Sequence, residues 1–381
     1  YAEGPGSTVA RVVDGSLHGQ HLSAISGVAN IGSDANWTGS HFNQANWYAF
    51  GRMAWNPDAS ARDIAAEWVR QTWGNDPAVV EPVTRMMMGS RQAVVDYMTP
   101  LGLVHQMGTG HHYGPSPWVK DLGNASWNPA YYHRADRDGI GFDRGESGSR
   151  AVEQYAPPVR DRFASRATVG NDLLLFFHHV GWDDRLASGR TVWEELVQRY
   201  SAGVDAVRAM RETWQGLRDR IDAQRFTEVA SFLRIQHQEA RWWRDASLQY
   251  FASVSGKAVP AGYAPPAHQL AWYQDLARRC PANAAKPRCP EVYGAEPSPA
   301  VLAPTAGGEL TATSLSTNGR TLPLGIAGDD IALGWTLAAR TRDARQRAYQ
   351  LRVGTKPGLG DAWDSGKVLS ERQVDVRLPA T

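Results

Sequence analysis

Residues 111–144 concentrate the side chains that could do chemistry. They include His111, His112 and His133, Tyr113, Tyr131 and Tyr132, and Trp118 and Trp127, set among Gly, Pro and charged residues. No helical or strand period runs through them. Loops of this length are usually functional or disordered. Flat aromatic faces stack on a pyranose ring, and charged groups hold its hydroxyls and carboxylate, so this composition suits a sugar site. An aromatic cluster buried beneath a long loop is the bland alternative.

Taken one by one, the candidates divide. Neutral imidazole both donates and accepts, so His111 and His112, with Tyr113 beside them, suit hydroxyl recognition. A satisfied structural pair of histidines is the alternative. A metal site fits poorly, because adjacent histidines point apart and no third ligand has convincing spacing. His178 and His179 end the apolar run LLLFF and are expected to be buried and hydrogen-bonded. Asp136, Asp138 and Asp143 lack the ligand order and closing Glu of an EF-hand loop. They are expected to fix the loop through Arg134, Arg137 and Arg144. Asp34 and Glu67 lie near aromatic motifs in the first part of the chain. Glu67 falls in a helix among surface-type neighbours, so neither is taken as a catalytic acid or base. No cofactor or metal is expected.

The elements that must position these residues follow from pattern. Residues 8–58 read as α/β, with Val9–Val13 and residues 25–31 as strand candidates. An aromatic-rich loop and a helix follow. Ser60 is a candidate N-cap with Asp63 in the first turn, and Ile64, Trp68 and Val69 line one helical face. Residues 78–98 carry Val83, Met86, Met87, Val94 and Met98 at helical spacing, read as core. Thr191 to Glu194 matches a capping box. Val204, Val207, Met210, Trp214, Leu217 and Ile221 then recur at steps of three and four, and Phe226, Val229, Phe232, Leu233, Ala240 and Trp243 repeat the pattern. Two such helices should pack antiparallel. Residues 287–320 are rich in Pro, Ala, Gly, Ser and Thr and read as a linker. Beyond it, Ile331, Leu333, Trp335 and Leu337 alternate, as do Tyr349, Leu351 and Val353. That is β, as a partial sandwich.

Composition bounds the partners. Lys plus Arg number 40 and Asp plus Glu 39, a net charge of +1. Nothing in that balance suggests nucleic acid or a membrane surface. No apolar run approaches the roughly 18 residues of a membrane span. Tryptophan is the outlier, at 15. Cys280 and Cys289 permit a small disulfide loop or two free thiols. The chain opens on YAEGPGSTVARVV without Met and reads as a piece of something longer.

The segments GVANIGSDANWTG, FNQANWYAFGRMAWNP, HHYGPSPW, WNPAYYHRADRDGIGFDR, LLLFFHHVGWDD, SGRTVWEEL and QEARWWRDASLQYF resemble the bacterial α-glucuronidases of glycoside hydrolase family 67. They occur in family order over about two-thirds of the chain. The resemblance implies a multi-domain chain: 1–58 as the C-terminal portion of a (β/α)8 barrel, 59–286 as the α-helical C-terminal domain, 287–320 as linker and 321–381 as a partial immunoglobulin-like β-sandwich. PLGIAGDDIALGWTL, RQRAYQLRVG and WDSGKV are similar to the N-terminal immunoglobulin-like module of bacterial α-L-rhamnosidases.

Family 67 enzymes are inverting, with an acid and a water-activating base about 6.5–9.5 Å apart. The implied reaction removes (4-O-methyl)glucuronic acid, α-1,2-linked, from the terminal xylose of xylo-oligosaccharides. The catalytic carboxylates are expected upstream of Tyr1, which leaves none here. Trp127, in WNPAYYH, matches the tryptophan with which the family stacks on one face of the uronic acid; a core role in the helical domain is its alternative. His111, His112 and Tyr113 are expected at the same mouth. Competing readings are a non-catalytic carbohydrate-binding unit and a homodimerisation domain, the latter to be favoured if the 204–243 helices carry an exposed apolar stripe. The sandwich and the cysteine pair point to an extracellular or periplasmic site, with the cytoplasm as alternative.

Overall fold

The computed structural model describes residues 8–16, 19, 26–28, 38–108, 112–279, 310–317, 331–339, 344–355 and 360–378. The chain divides into two units. One is drawn mainly from residues 45–217 and the segment from 232 onward, the other from 28–44, 218–231 and the C-terminal strands.

The first element departs from expectation. Val9–Val13 is a short helix, α1, not a strand. The Thr8 side chain accepts from Arg11 N and caps it, a local bond that outweighs the β preference of the valines. Asp34 and the strand expected at residues 25–31 lie outside the described residues, apart from 26–28, which form no regular element. The helix α2, His41–Trp55, has no fully buried residue. It is tied to α3, Ala61–Trp73, by a forked pair: Arg52 donates Nε to Glu67 Oε2 at 2.8 Å and Nη2 to Oε1 at 3.1 Å. Tyr48 adds its hydroxyl at 3.0 Å. Ser60 caps α3 as expected, accepting from Asp63 N. α4, Pro77–Met98, buries Val79, Val80, Val83 and Met86.

Short elements follow: α5, Pro129–His133; β1, Gly139–Ile140; α6, Pro157–Ala164; α7, Leu174–Phe177; β2, Val180–Gly181. β1 and β2 form a two-residue antiparallel ladder. Then come the long helices, α8, Val192–Gln215, and α9, Ala223–Ser255. The capping box is present in full: Thr191 Oγ1 accepts from Glu194 N at 3.2 Å and Glu194 Oε2 from Thr191 N at 2.8 Å.

The two helices run antiparallel, as their patterns required. Trp193 donates to Ala258 O, just past α9, and Arg211 Nη1 meets His237 Nδ1, so the partner number falls as α8 advances. Leu196, Val197 and Tyr200 from α8 share one core with Leu248 and Phe251 from α9. α8 also lies close on α4. A Cβ on Gly203 would stand 2.5 Å from Tyr97 N, so only glycine allows that approach. Phe232 was expected on the apolar face, yet it is 54% exposed, with Ile235 at 45%. The helix α10, Leu270–Arg279, packs Tyr273 and Leu276 onto Trp242 and Ala246.

In the smaller unit, β3 (Leu310–Thr317) and β4 (Ala332–Ala339) pair antiparallel, and β4 pairs with β7 (Val376–Arg377). β5 (Arg352–Val353) pairs with β6 (Trp363–Asp364). Trp335 is buried and donates its indole N–H to Gln346, whose amide donates to Ser370 O and Arg372 O. β3 falls within residues 287–320. Its Thr- and Ser-rich composition reads as linker until a partner strand satisfies the backbone. Cys280 and Cys289 lie outside the described residues.

Candidate functional site

Trp127 ends a 3₁₀ turn, Ala125–Trp127, that Asn124 caps by accepting from Ser126 N. Asn128 follows, almost fully buried. Its amide oxygen accepts from Leu122 N at 2.8 Å, and its amide nitrogen donates to Leu122 O and Asn124 O at 3.1 Å. One buried side chain thus satisfies the backbone of the turn that carries Trp127. The indole is 56% exposed, so Trp127 is no core residue. A solvent-facing tryptophan on a pinned turn offers a flat apolar face.

α5 begins immediately after Asn128. At its end His133 is buried beneath the loop. Ala135 N donates to His133 Nδ1, so the ring proton sits on Nε2 and is donated to Pro117 O at 2.8 Å. Burial pushes the pKa of this imidazole down to about 4, opposed by the Pro117 carbonyl. A second bond, Ala130 N to Val119 O, completes the joint between 117–119 and α5.

His111 lies outside the described residues. His112 is exposed and left-handed, with φ 55°. Tyr113 turns inward, its ring edge-on to Trp242 at 5.7 Å and its hydroxyl donating to Glu239 Oε1 at 2.5 Å. Burial first, then the Glu239 charge, raises the Tyr113 pKa. Burial also raises that of Glu239. Gly114 has φ +70°, and a Cβ there would stand 2.2 Å from the Trp242 ring. Glu239 is the residue that sequence reasoning missed, 126 positions from its partner.

The acids do not engage the arginines as expected. Asp136 accepts from Asp138 N and Gly139 N, and Asp143 from Gly145 N and Ser147 Oγ. These are short-range Asx bonds, which cost less order than long arginine pairs. Arg134 instead lies over Tyr131 and Phe142, at 4.8 and 4.3 Å, and Arg144 over Phe142 and Phe176, at 4.2 and 4.0 Å. His178 donates its Nε2–H to the Phe163 carbonyl at 2.9 Å. His179 likewise bonds Gly141 O through Nδ1. Both are structural. Glu67 is held by Arg52 and Tyr48, which lower its pKa, and is not poised as an acid. Among the described residues, no group of three His, Cys, Asp or Glu is placed to hold a metal ion. Nor is any helix among them long and apolar enough to cross a membrane.

The helical unit thus presents an exposed Trp and two ring-stacked arginines on irregular backbone. Residues 38–264 match glycosyl hydrolase family 67 C-terminus, and the chain belongs to that family. Residues 312–381 match the Rha78A-like, N-terminal immunoglobulin domain. The chain is similar to "Probable alpha-glucuronidase A" of Aspergillus clavatus, 34% identical over 258 residues, covering 67% of this chain and 30% of the relative. It is also similar to "Alpha-glucuronidase" of Hypocrea jecorina, 36% identical over 251 residues, covering 65% and 29%. The chain thus spans about 30% of the length of these relatives.

Proposed function

We propose that this chain serves an α-glucuronidase. The reaction is hydrolysis, with inversion, of the α-1,2 link between (4-O-methyl)glucuronic acid and the terminal xylose of a xylo-oligosaccharide. Trp127 stacks on the uronic acid, and His111, His112 and Tyr113 belong to the same mouth. The exposure of Trp127 on a turn built by Asn124 and Asn128 is the observation that carries this reading. In this reading the acid and base that inversion needs lie upstream of Tyr1, and Glu67, paired with Arg52, is neither. In this reading residues 1–58 close a (β/α)8 barrel, 59–286 form its helical cover, and the C-terminal module suits an extracytoplasmic site. The absence of a fully buried residue in α2 supports that placement, because a barrel helix needs its barrel.

Incubation of the chain with an aldouronic-acid mixture should release no 4-O-methylglucuronic acid. Release lost on Asp34→Asn would mean that the carboxylates are within this chain. Homodimerisation through the helical domain is a second reading, favoured by exposed Phe232 and Ile235, one turn apart on α9. A shift to twice the mass in sedimentation, abolished by Phe232→Ser, would establish it.

A further inference from the structure

The arginine ladder around Phe142 is unused by the reading above. Tyr131, Arg134, Phe142, Arg144 and Phe176 alternate ring and guanidinium, every centroid distance within 4.8 Å. Arg134 spends Nε on Tyr131 O, and Arg144 spends Nη1 on Phe176 O. Each guanidinium has five donors. Neither makes an ion pair among the described residues; the nearby Asp136 and Asp143 accept from backbone amides and from Ser147 Oγ, and His179 Nε2 stands 3.6 Å from Asp136. Stacking fixes each guanidinium plane, and a fixed fork is what two carboxylate oxygens match. The ladder is also joined to the Trp127 turn, since Tyr132 stacks edge-on to Tyr131 and donates its hydroxyl to Ser126 O at 2.8 Å. Strain lies beneath it. His105 packs its ring 4.8 Å from Tyr132 with φ +52°, a conformation that side chains other than glycine rarely hold without support.

We infer that Arg134 and Arg144, spaced by Phe142, form a carboxylate-reading surface that selects acidic over neutral xylo-oligosaccharides. This rests on the sugar-binding reading above and assigns its acid preference to two residues. The exposed indole of Trp127, joined to the ladder through Tyr132 and Ser126, favours a sugar carboxylate over a bare inorganic anion, because it offers a pyranose a face to lie on.

The test is titration of the intact chain with glucuronosyl-xylotriose and with xylotriose by calorimetry. The acidic sugar should bind about ten-fold more tightly, the scale of one charge-assisted hydrogen bond. Arg134→Gln with Arg144→Gln should bring the ratio near one while xylotriose affinity stays unchanged. Arg144→Lys keeps the charge over Phe176 and should lower the ratio in part, which guards against loss of fold in the double variant. No acid preference in the unmodified chain, or a preference that survives the double substitution, overturns the proposal. Trp127→Ala separates the two readings once the methyl ester of glucuronosyl-xylotriose is added as a third ligand: it should weaken acid and ester alike and leave their ratio intact, whereas the double arginine substitution should abolish that ratio. Unchanged binding in that variant would sink the Trp127 reading and leave the arginine result standing.

Discussion

Trp242 and Trp127 belong to the same unit and have opposite fates. Trp242 lies fully buried on α9, packed by Tyr113, Trp118, Tyr273 and Leu276. Trp127 stands out on a turn held by the Asn124 and Asn128 side chains, by backbone and by the Tyr132 hydroxyl. The first is a product of helical period, the second of local hydrogen bonding. The difference shows how a tryptophan-rich chain divides its rings between a core and a solvent-facing turn. Order in the core comes from burial; order on the surface comes from satisfied backbone groups.

Four perturbations should strain that contrast. Gly114→Ala drives a methyl into Trp242 at a positive φ, and should cost about 4 kcal/mol from strain and overpacking together. Urea melts would read it; a change below about 1 kcal/mol would mean the loop yields.

Acid should act through His133. Its pKa is about 4 folded and about 6.5 unfolded. The unfolded chain therefore binds the extra proton between those values, so stability is present above pH 6.5 and lost as pH falls toward 4. The loss is about 3 kcal/mol. His133→Gln should flatten the pH dependence in parallel melts.

Amide exchange should be at least about a hundredfold faster in α2 than in α8, because α2 has no fully buried residue whereas α8 buries eleven. Equal protection would contradict the expectation that the lower burial of α2 leaves it less protected. Thr191→Ala removes half of the capping box and should cost about 1 kcal/mol, read by thermal melt.

Much of the core was legible. Ser60 and Thr191 announce helix starts through bonds to residues three positions on, and the steps of three and four from Val204 onward announce a buried face. The surface was less so. That Trp127 is exposed depends on Asn128 folding back on Leu122, which no period encodes. Tyr113 meets Glu239 across 126 positions, a pairing set by the docking of α9. The arginines of 134–144 were expected on acids, but Asx bonds took the acids first and aromatic rings took the arginines. α1 and β3 were misread for a related reason: a cap bond decides the one and a partner strand the other, and neither shows in local composition.

Trp127, more than half exposed, is proposed to bind sugar through its open face. Titrate the intact chain and its Trp127→Ala variant with glucuronosyl-xylotriose, following calorimetric heat, and melt both. The account predicts stabilities within about 0.5 kcal/mol, as for an exposed side chain, with at least ten-fold weaker binding in the variant. Equal affinity in the two proteins, or a variant that unfolds, would contradict it.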